Sequence, residues 1–356
     1  MDSSLTPQVL ADPVALTRAL VDIESVSGNE KEIADAVFAA LVPNERLTVE
    51  RLGHTIIART RLQREQRVVL AGHLDTVPLA GNFPSTVDDE RIWGCGTSDM
   101  KSGTALALHL ATRDADPQFD VTYFFYECEE VERERNGLNK VAASHPELLQ
   151  ADFAILLEPT YGLVEAGCQG TLRVRVTVPG RRAHSARSWL GRNAIHDAGE
   201  LLTRLSEYKA REVEIDGCLY REGLNAVRIT GGVAGNVIPD LCEVEVNFRF
   251  APDRSEEEAA RHVREVLGGF DVTLMDVAGG ALPGLGAAPA KAFIDAVGSA
   301  PNAKLGWTDV ARFAALGVPA LNYGPGDPNL AHTREEHVEI AKIESGAEVL
   351  RRWLFG

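Results

Sequence analysis

The chain has 356 residues, 45% of them hydrophobic and 25% charged, with a formal net charge of −16. A length of this order carries a large core and about two domains. The acidic balance argues against nucleic acid as a partner, because phosphate binding needs a basic face, but small anionic substrates held by local arginines stay open. No apolar run reaches the ~20 residues of a membrane span. The opening MDSSLTPQVLADP lacks the basic-then-apolar pattern of a secretory leader. Cys95, Cys128, Cys168, Cys218 and Cys242 are odd in number and show no CxxC spacing, so the expectation is a cytoplasmic protein with reduced thiols.

Helical spacing of Leu16, Leu20 and Val21 predicts a helix over 13–24, and a second over 30–41. An alternation follows: strand VVLAGHLD, helix MKSGTALALHLAT, strand VTYFFYE, helix NGLNKVAASH, strand FAILLE. That order predicts an α/β fold with a mostly parallel central sheet covered on both faces. From Thr171 the pattern changes to TLRVRVTV, a helix over 193–209, strands AVRITG and CEVEVNFRF, helix SEEEAARHVREVL and strand VTLMDV. This β-α-β-β-α-β order is the split ferredoxin-like unit. It predicts an inserted domain over 171–281 within a first domain of 1–170 and 282–356. The Gly/Ala/Pro-rich GGALPGLGAAPA reads as the linker back.

Ligands collect at the carboxyl ends of strands in such sheets, where His73, Glu129, Glu130 and Glu158 all fall. In AGHLDTVP, His73 and Asp75 are two apart and would share one face of a strand. A ligating histidine commonly needs a nearby carboxylate to fix its ring, yet a lone HxD is more often a surface pair. In GTSDMKSG, Ser98 or Asp99 could simply cap the following helix; the alternative is a carboxylate shared by two metals. In YECEEV, Glu129 and Glu130 would point to opposite sides if the strand continues, one ligating and one facing substrate. The competing reading is a solvated acidic turn, since Glu127, Glu132 and Glu134 crowd the same stretch. Glu158 follows the apolar run FAILL, where a charge is costly unless paired or ligating. His332 lies in a loop in NLAHTREEH, a place where histidines usually do nothing. Each signal is weak alone, and the joint occurrence is strong.

In GHLDTVP, GTSDMKSG, the Glu129–Glu130 pair, EPT and the late histidine, taken in order, the chain resembles the co-catalytic zinc amidohydrolases of the M20 peptidase type over essentially its whole length. YECEEVERERNGL and LGWTDVARFAALGVPALNYGPGDPNLAH resemble the subgroup that hydrolyses N-succinyl-L,L-2,6-diaminopimelate to succinate and L,L-diaminopimelate. The resemblance implies two zinc ions per subunit, with cobalt or manganese as substitutes. His73 and Glu158 would hold one ion, Glu130 and His332 the other, and Asp99 would bridge them, followed by a cis peptide to Met100. Asp75 would orient His73, and Glu129 would act as general base and acid. His184, in GRRAHSARS, would reach across a homodimer formed by the inserted domain and steady the oxyanion.

The substrate's three carboxylates need cations or amide donors, for which Arg249, Asn236, Thr308 and Arg187 are the candidates. Cys168 and Gln169 stand where many such enzymes carry an arginine, and Arg187 would supply the missing charge. Two alternatives remain at this point. One is an N-acyl amino acid deacylase (an acetylornithine deacetylase, for instance) or a dipeptidase of the same family. The other is a catalytically idle metal-binding protein, against which the intact Glu129 argues.

Overall fold

The computed structural model describes residues 5–356; the first four residues of MDSSLTPQVLADP lie outside the described residues. Two compact units divide the chain: Met1–Ala166, Pro283–Asn302 and Arg312–Gly356 form one, Gly167–Leu282 with Ala303–Ala311 the other.

The first unit is built on a sheet in the order Leu47–Leu52, Thr55–Thr60, Asp120–Tyr126, Arg67–His73, Phe153–Leu156, Ala320–Asn322, Glu165–Ala166, Asn302–Ala303. Its four central strands, from Asp120–Tyr126 to Ala320–Asn322, pair in parallel. Strands Leu47–Leu52 and Thr55–Thr60 before this block, and Glu165–Ala166 after it, pair antiparallel. Continuous apolar runs such as Val68–Ala71 and Val121–Tyr126 are buried on both faces, as parallel strands require. Helix Lys101–Ala111 is buried at every residue. Its small side chains let it lie close to the sheet, and a Cβ on Gly103 would collide with the Leu157 carbonyl. Trp353, in helix Ile340–Phe355, packs against Phe119, Phe153 and Phe293. Each such side chain contributes about 1.5–3 kcal/mol on burial.

The second unit carries a four-stranded antiparallel sheet ordered Gly223–Gly231, Leu241–Phe250, Gly170–Pro179, Asp271–Ala278. Strict alternation buries Leu172, Val174, Val176 and Val178 against Cys242, Val244, Val246 and Phe248. Helices Ala194–Glu207 and Glu256–Val266 add Ala198, Leu201, Ala259 and Val263 to the same core. Ser255 and Glu258 form a reciprocal cap at the second helix.

Two features differ from the sequence expectation. Residues 303–311 belong with the second unit, because Lys304 O accepts from Gln169 N, Thr308 O from Cys168 Sγ, and Trp307 Nε1 donates to Gly279 O. The hairpins Leu47–Leu52/Thr55–Thr60 and Glu212–Ile215/Cys218–Arg221 were not foreseen. All five cysteines are buried thiols outside any disulfide. Among the described residues no helix is long and apolar enough to cross a membrane.

Candidate metal centre

Strand Arg67–His73 ends on His73, which is 1% exposed. Thr104 Oγ1 donates to its carbonyl at 2.8 Å. Because the strand stops there, strand alternation cannot place Asp75, and the chain turns instead: Leu74 N donates to Tyr126 O and Thr76 N to Ser25 O. The turn brings the Asp75 carbonyl to 3.0 Å from His73 Nδ1, with its carboxylate at 3.5 Å. That carboxylate accepts from Ser27 Oγ at 2.7 Å, Glu129 N at 2.9 Å and Glu130 N at 3.1 Å. The expected orienting contact to His73 therefore runs mainly through the main chain, and the side chain holds the acidic loop.

That loop is not a continued strand. Asp120–Tyr126 ends, and Cys128 takes φ +57, an unfavourable value for a side-chain-bearing residue. Its N–H and Sγ both lie 3.2 Å from Oε1 of the fully buried Glu30. The N–H groups of residues 128, 129 and 130 are thus gathered by two buried carboxylates, and Glu129 and Glu130 are not on opposite faces of a ladder. Glu127 is buried as well, taking bonds from Lys140 Nζ and His54 N, whereas Glu132 and Glu134 are exposed, so the acidic stretch is solvated only beyond Glu130.

Neither Ser98 nor Asp99 caps helix Lys101–Ala111; Met100 occupies the cap position without a side-chain bond. Ser98 Oγ donates instead to His337 O. Asp99–Met100 is a cis peptide. Asp99 directs Oδ1 to His73 Nε2 at 3.2 Å and Oδ2 to His332 Nε2 at 3.4 Å. His332, at φ +63, also meets Glu130 Oε1 at 3.0 Å. Glu158, two residues past strand Phe153–Leu156, is buried.

Donor atoms of His73, Asp99 and Glu158 lie within 4.8 Å of one another, as do those of Asp99, Glu130 and His332, and those of His73, Glu129 and Glu130. The electrostatics fit cations here. Burial opposes charge on His73, yet Asp75 and Asp99 outweigh it and raise its pKa well above the ordinary value. Asp99 and Glu130 raise His332 to about 10. Asp99 falls well below the usual carboxylate range: burial works against this, but both imidazoles prevail. The carboxylates thus favour positive charge at both imidazole positions, the charge that a bound divalent ion would supply in place of protons. Imidazole and carboxylate donors without thiolate suit first-row divalent metals.

The remaining candidates all belong to the second unit. His184 ends strand Ala183–His184 and pairs with Val237, and Ser185 N donates to Asn236 O, so His184 and Asn236 are neighbours. His184 Nδ1 accepts from Ala186 N at 3.1 Å. Arg187 is exposed in the irregular segment Ser185–Leu190. Arg249 is exposed on strand Leu241–Phe250, while Thr308 is buried. Cys168 and Gln169, at the point of departure from the family pattern, are buried; Gln169 Nε2 donates to Arg221 O.

A sheet with a parallel centre, an inserted β-α-β-β-α-β unit and a donor set sharing one aspartate define a class of two-unit metallohydrolase. The chain belongs to peptidase family M20/M25/M40, matched over residues 69–355. It is 57% identical over 348 residues to a putative succinyl-diaminopimelate desuccinylase DapE of Mycobacterium tuberculosis, covering 97% of this chain and 98% of that one. It is 51% identical to the succinyl-diaminopimelate desuccinylase of Corynebacterium glutamicum, covering 99% of this chain and 100% of that one. The fold superposes on Bacillus subtilis YXEP, a dinuclear metal-binding M20 peptidase, with TM-score 0.69, 16% identity and 96% of each chain covered.

Sequence reasoning missed three residues that hold the loops: half-buried Ser27 and buried Glu30 and Glu336. Glu336 Oε1 accepts from Gly96 N, Ser98 N and Asp99 N at 3.0, 2.9 and 3.0 Å. Its only signal was an acid sitting between a loop histidine and the short strand His337–Glu339.

Proposed function

We propose that the protein is a cytoplasmic di-zinc amidohydrolase that cleaves N-succinyl-L,L-2,6-diaminopimelate to succinate and L,L-diaminopimelate. The observation that carries the chemistry is Asp99, which turns one oxygen to each of two imidazoles. The choice of substrate draws on the two relatives at 57% and 51% identity. In this reading His73 and Glu158 would hold one zinc, Glu130 and His332 the other, with Asp99 shared between them. When bound, the ions polarise the amide carbonyl and lower the pKa of a water. Glu129 would accept a proton from the attacking water and return it to the leaving amine. Asp75 supports both events, holding the His73 ring by its carbonyl and the Glu129 peptide by its carboxylate.

His184 of the partner subunit donates to the developing oxyanion. The bond from Ala186 N to Nδ1 favours this, because a neutral ring that accepts there carries its proton on Nε2. The exposed edge strand Gly223–Gly231, with Val227 and Ile229 outward, supports pairing of two copies through the second unit. Arg187, Arg249, Asn236 and Thr308 supply the donors for the substrate carboxylates.

The test is a panel of N-acyl amines offered to zinc-loaded protein: the succinyl substrate, N-acetylornithine and simple dipeptides. The succinyl substrate should exceed the others in kcat/KM by at least about 100-fold, since a site built to bind polar groups rejects analogues lacking them. Preference for a dipeptide or acetylornithine would overturn the substrate, and no turnover with two zinc ions bound would overturn the activity.

A further inference from the structure

We infer that Glu336 is a positioning residue of the metal centre, a buried carboxylate that fixes the peptide frame of Asp99 and ties it to the loop bearing His332. This rests on the reading of Asp99 as the shared ligand. Every N–H in the turn 96–99 is accounted for: Gly96, Ser98 and Asp99 donate to the single atom Glu336 Oε1, and Thr97 donates to Gly94 O. Backbone donors in a buried turn must find acceptors, and here one side chain serves three of them. The helix beginning at Lys101 offers no substitute, since its cap position makes no side-chain bond.

Glu336 is 2% exposed and stands outside every potential ligating group among the described residues. Its effect on the metals must therefore pass through Asp99. The distant end of the tie is equally firm. Glu336 O accepts from Gly94 N, Ser98 Oγ donates to His337 O, and His337 pairs with Trp93. Asn82 Nδ2 donates to Thr333 O, next to His332, while Asn82 O accepts from Cys95 N. The loops that supply Asp99 and His332 are thus one stapled body, and Glu336 is the staple nearest Asp99. Because Asp99 belongs to two of the ligating groups, a shift of its peptide is felt by both ions together. Glu30 reaches the loop of Glu129 and Glu130, and Asp75 reaches that loop and the His73 ring, so neither bonds the Asp99 peptide.

The experiment is zinc competition between the apoprotein and a chromophoric chelator, with kcat and KM measured beside it, for Glu336→Leu, Glu336→Gln and Glu336→Asp. Loss of the acceptor in Glu336→Leu should weaken both zinc sites by about 10- to 100-fold, the usual effect of removing a group that orients a ligand. kcat should fall while KM stays put. Glu336→Gln keeps an acceptor oxygen but not the charge and should fall between parent and Leu; Glu336→Asp should recover part of the affinity. If Glu336→Leu gives no cooperative thermal transition, Glu336→Gln decides alone. Unchanged zinc affinity at both sites in Glu336→Gln, or weakening at one site only, would overturn the inference. So would an Asp99→Ala protein that still binds both ions. A parent inactive on every amide, but with Glu336-dependent zinc binding, would overturn the proposed function and support this inference.

Discussion

Asp75 divides its work between main chain and side chain, so a substitution can separate the two. Asp75→Asn keeps the carbonyl on His73 but sets an NH2 group against the N–H of Glu129 or Glu130. kcat should drop about 10- to 100-fold with zinc content unchanged, as judged by elemental analysis beside steady-state kinetics; loss of zinc would mean that the carboxylate, not the carbonyl, holds the His73 ring. Glu129→Gln should cut kcat by about 10²- to 10⁴-fold, the ordinary worth of a general base, and a fully active variant would remove Glu129 from the reaction. At this scale the proposed ligands could be picked out, and the structure brings their donor atoms together, because metal donors are restricted to a few residue types at strand ends. Glu30 and Glu336 were not, because a glutamate that accepts mainly from backbone N–H groups leaves no spacing or pattern behind. The positive φ of Cys128 and His332 was equally hidden, since the loop contacts that hold such angles come from residues far along the chain.

Helix Lys101–Ala111 owes its depth to its small side chains. Gly103→Ala would press a methyl group on the Leu157 carbonyl, immediately before Glu158. Overpacking of this kind costs about 1–3 kcal/mol, and a lower Tm together with weaker zinc binding is the expected result; a normal Tm would show that the helix moves freely. Asp120 opens strand Asp120–Tyr126 and accepts from Thr60 Oγ1, Leu62 N and Arg64 N. Burial raises its pKa, but these donors prevail and lower it. A carboxylate with a depressed folded pKa contributes stability above its unfolded pKa, and loses it as pH falls through the folded one. Asp120→Asn should therefore cost about 1–3 kcal/mol at neutral pH, and its Tm deficit should shrink as the pH is taken below the normal aspartate range. A deficit constant with pH would mean that the charge has no part in it. Elements with long apolar runs or clean alternation were readable. Hairpin Leu47–Leu52/Thr55–Thr60 was not, because its first strand is half-buried throughout and carries Glu50 and Arg51 within the ladder.

The two-unit plan was visible where buried runs gave way to strict alternation at Thr171. The return crossing was not, since the ties of 303–311 to the second unit are single bonds to main-chain atoms. Edge strand Gly223–Gly231 exposes Val227 at 58% and Ile229 at 50%, a row that isolated proteins usually blunt with charge. Ile229→Lys should shift a dimer to a monomer in light scattering, and under the proposed role of His184 of the partner subunit it should abolish turnover while leaving zinc binding intact. A monomeric parent, or a fully active monomeric variant, would remove the partner from the reaction.

Strand Ala320–Asn322 pairs with Phe153–Leu156, although the whole Gly167–Leu282 segment lies between them in the chain. On the ribosome the second unit is therefore synthesised before the first can close its sheet, and domains generally fold as units as they emerge. His332 is synthesised later still. A nascent chain at that stage already holds His73, Asp99 and Glu158 but only part of the other donor group. Under the proposed ligand set, the order of synthesis would give the two metal positions an order of completion, with the His73 side ready first.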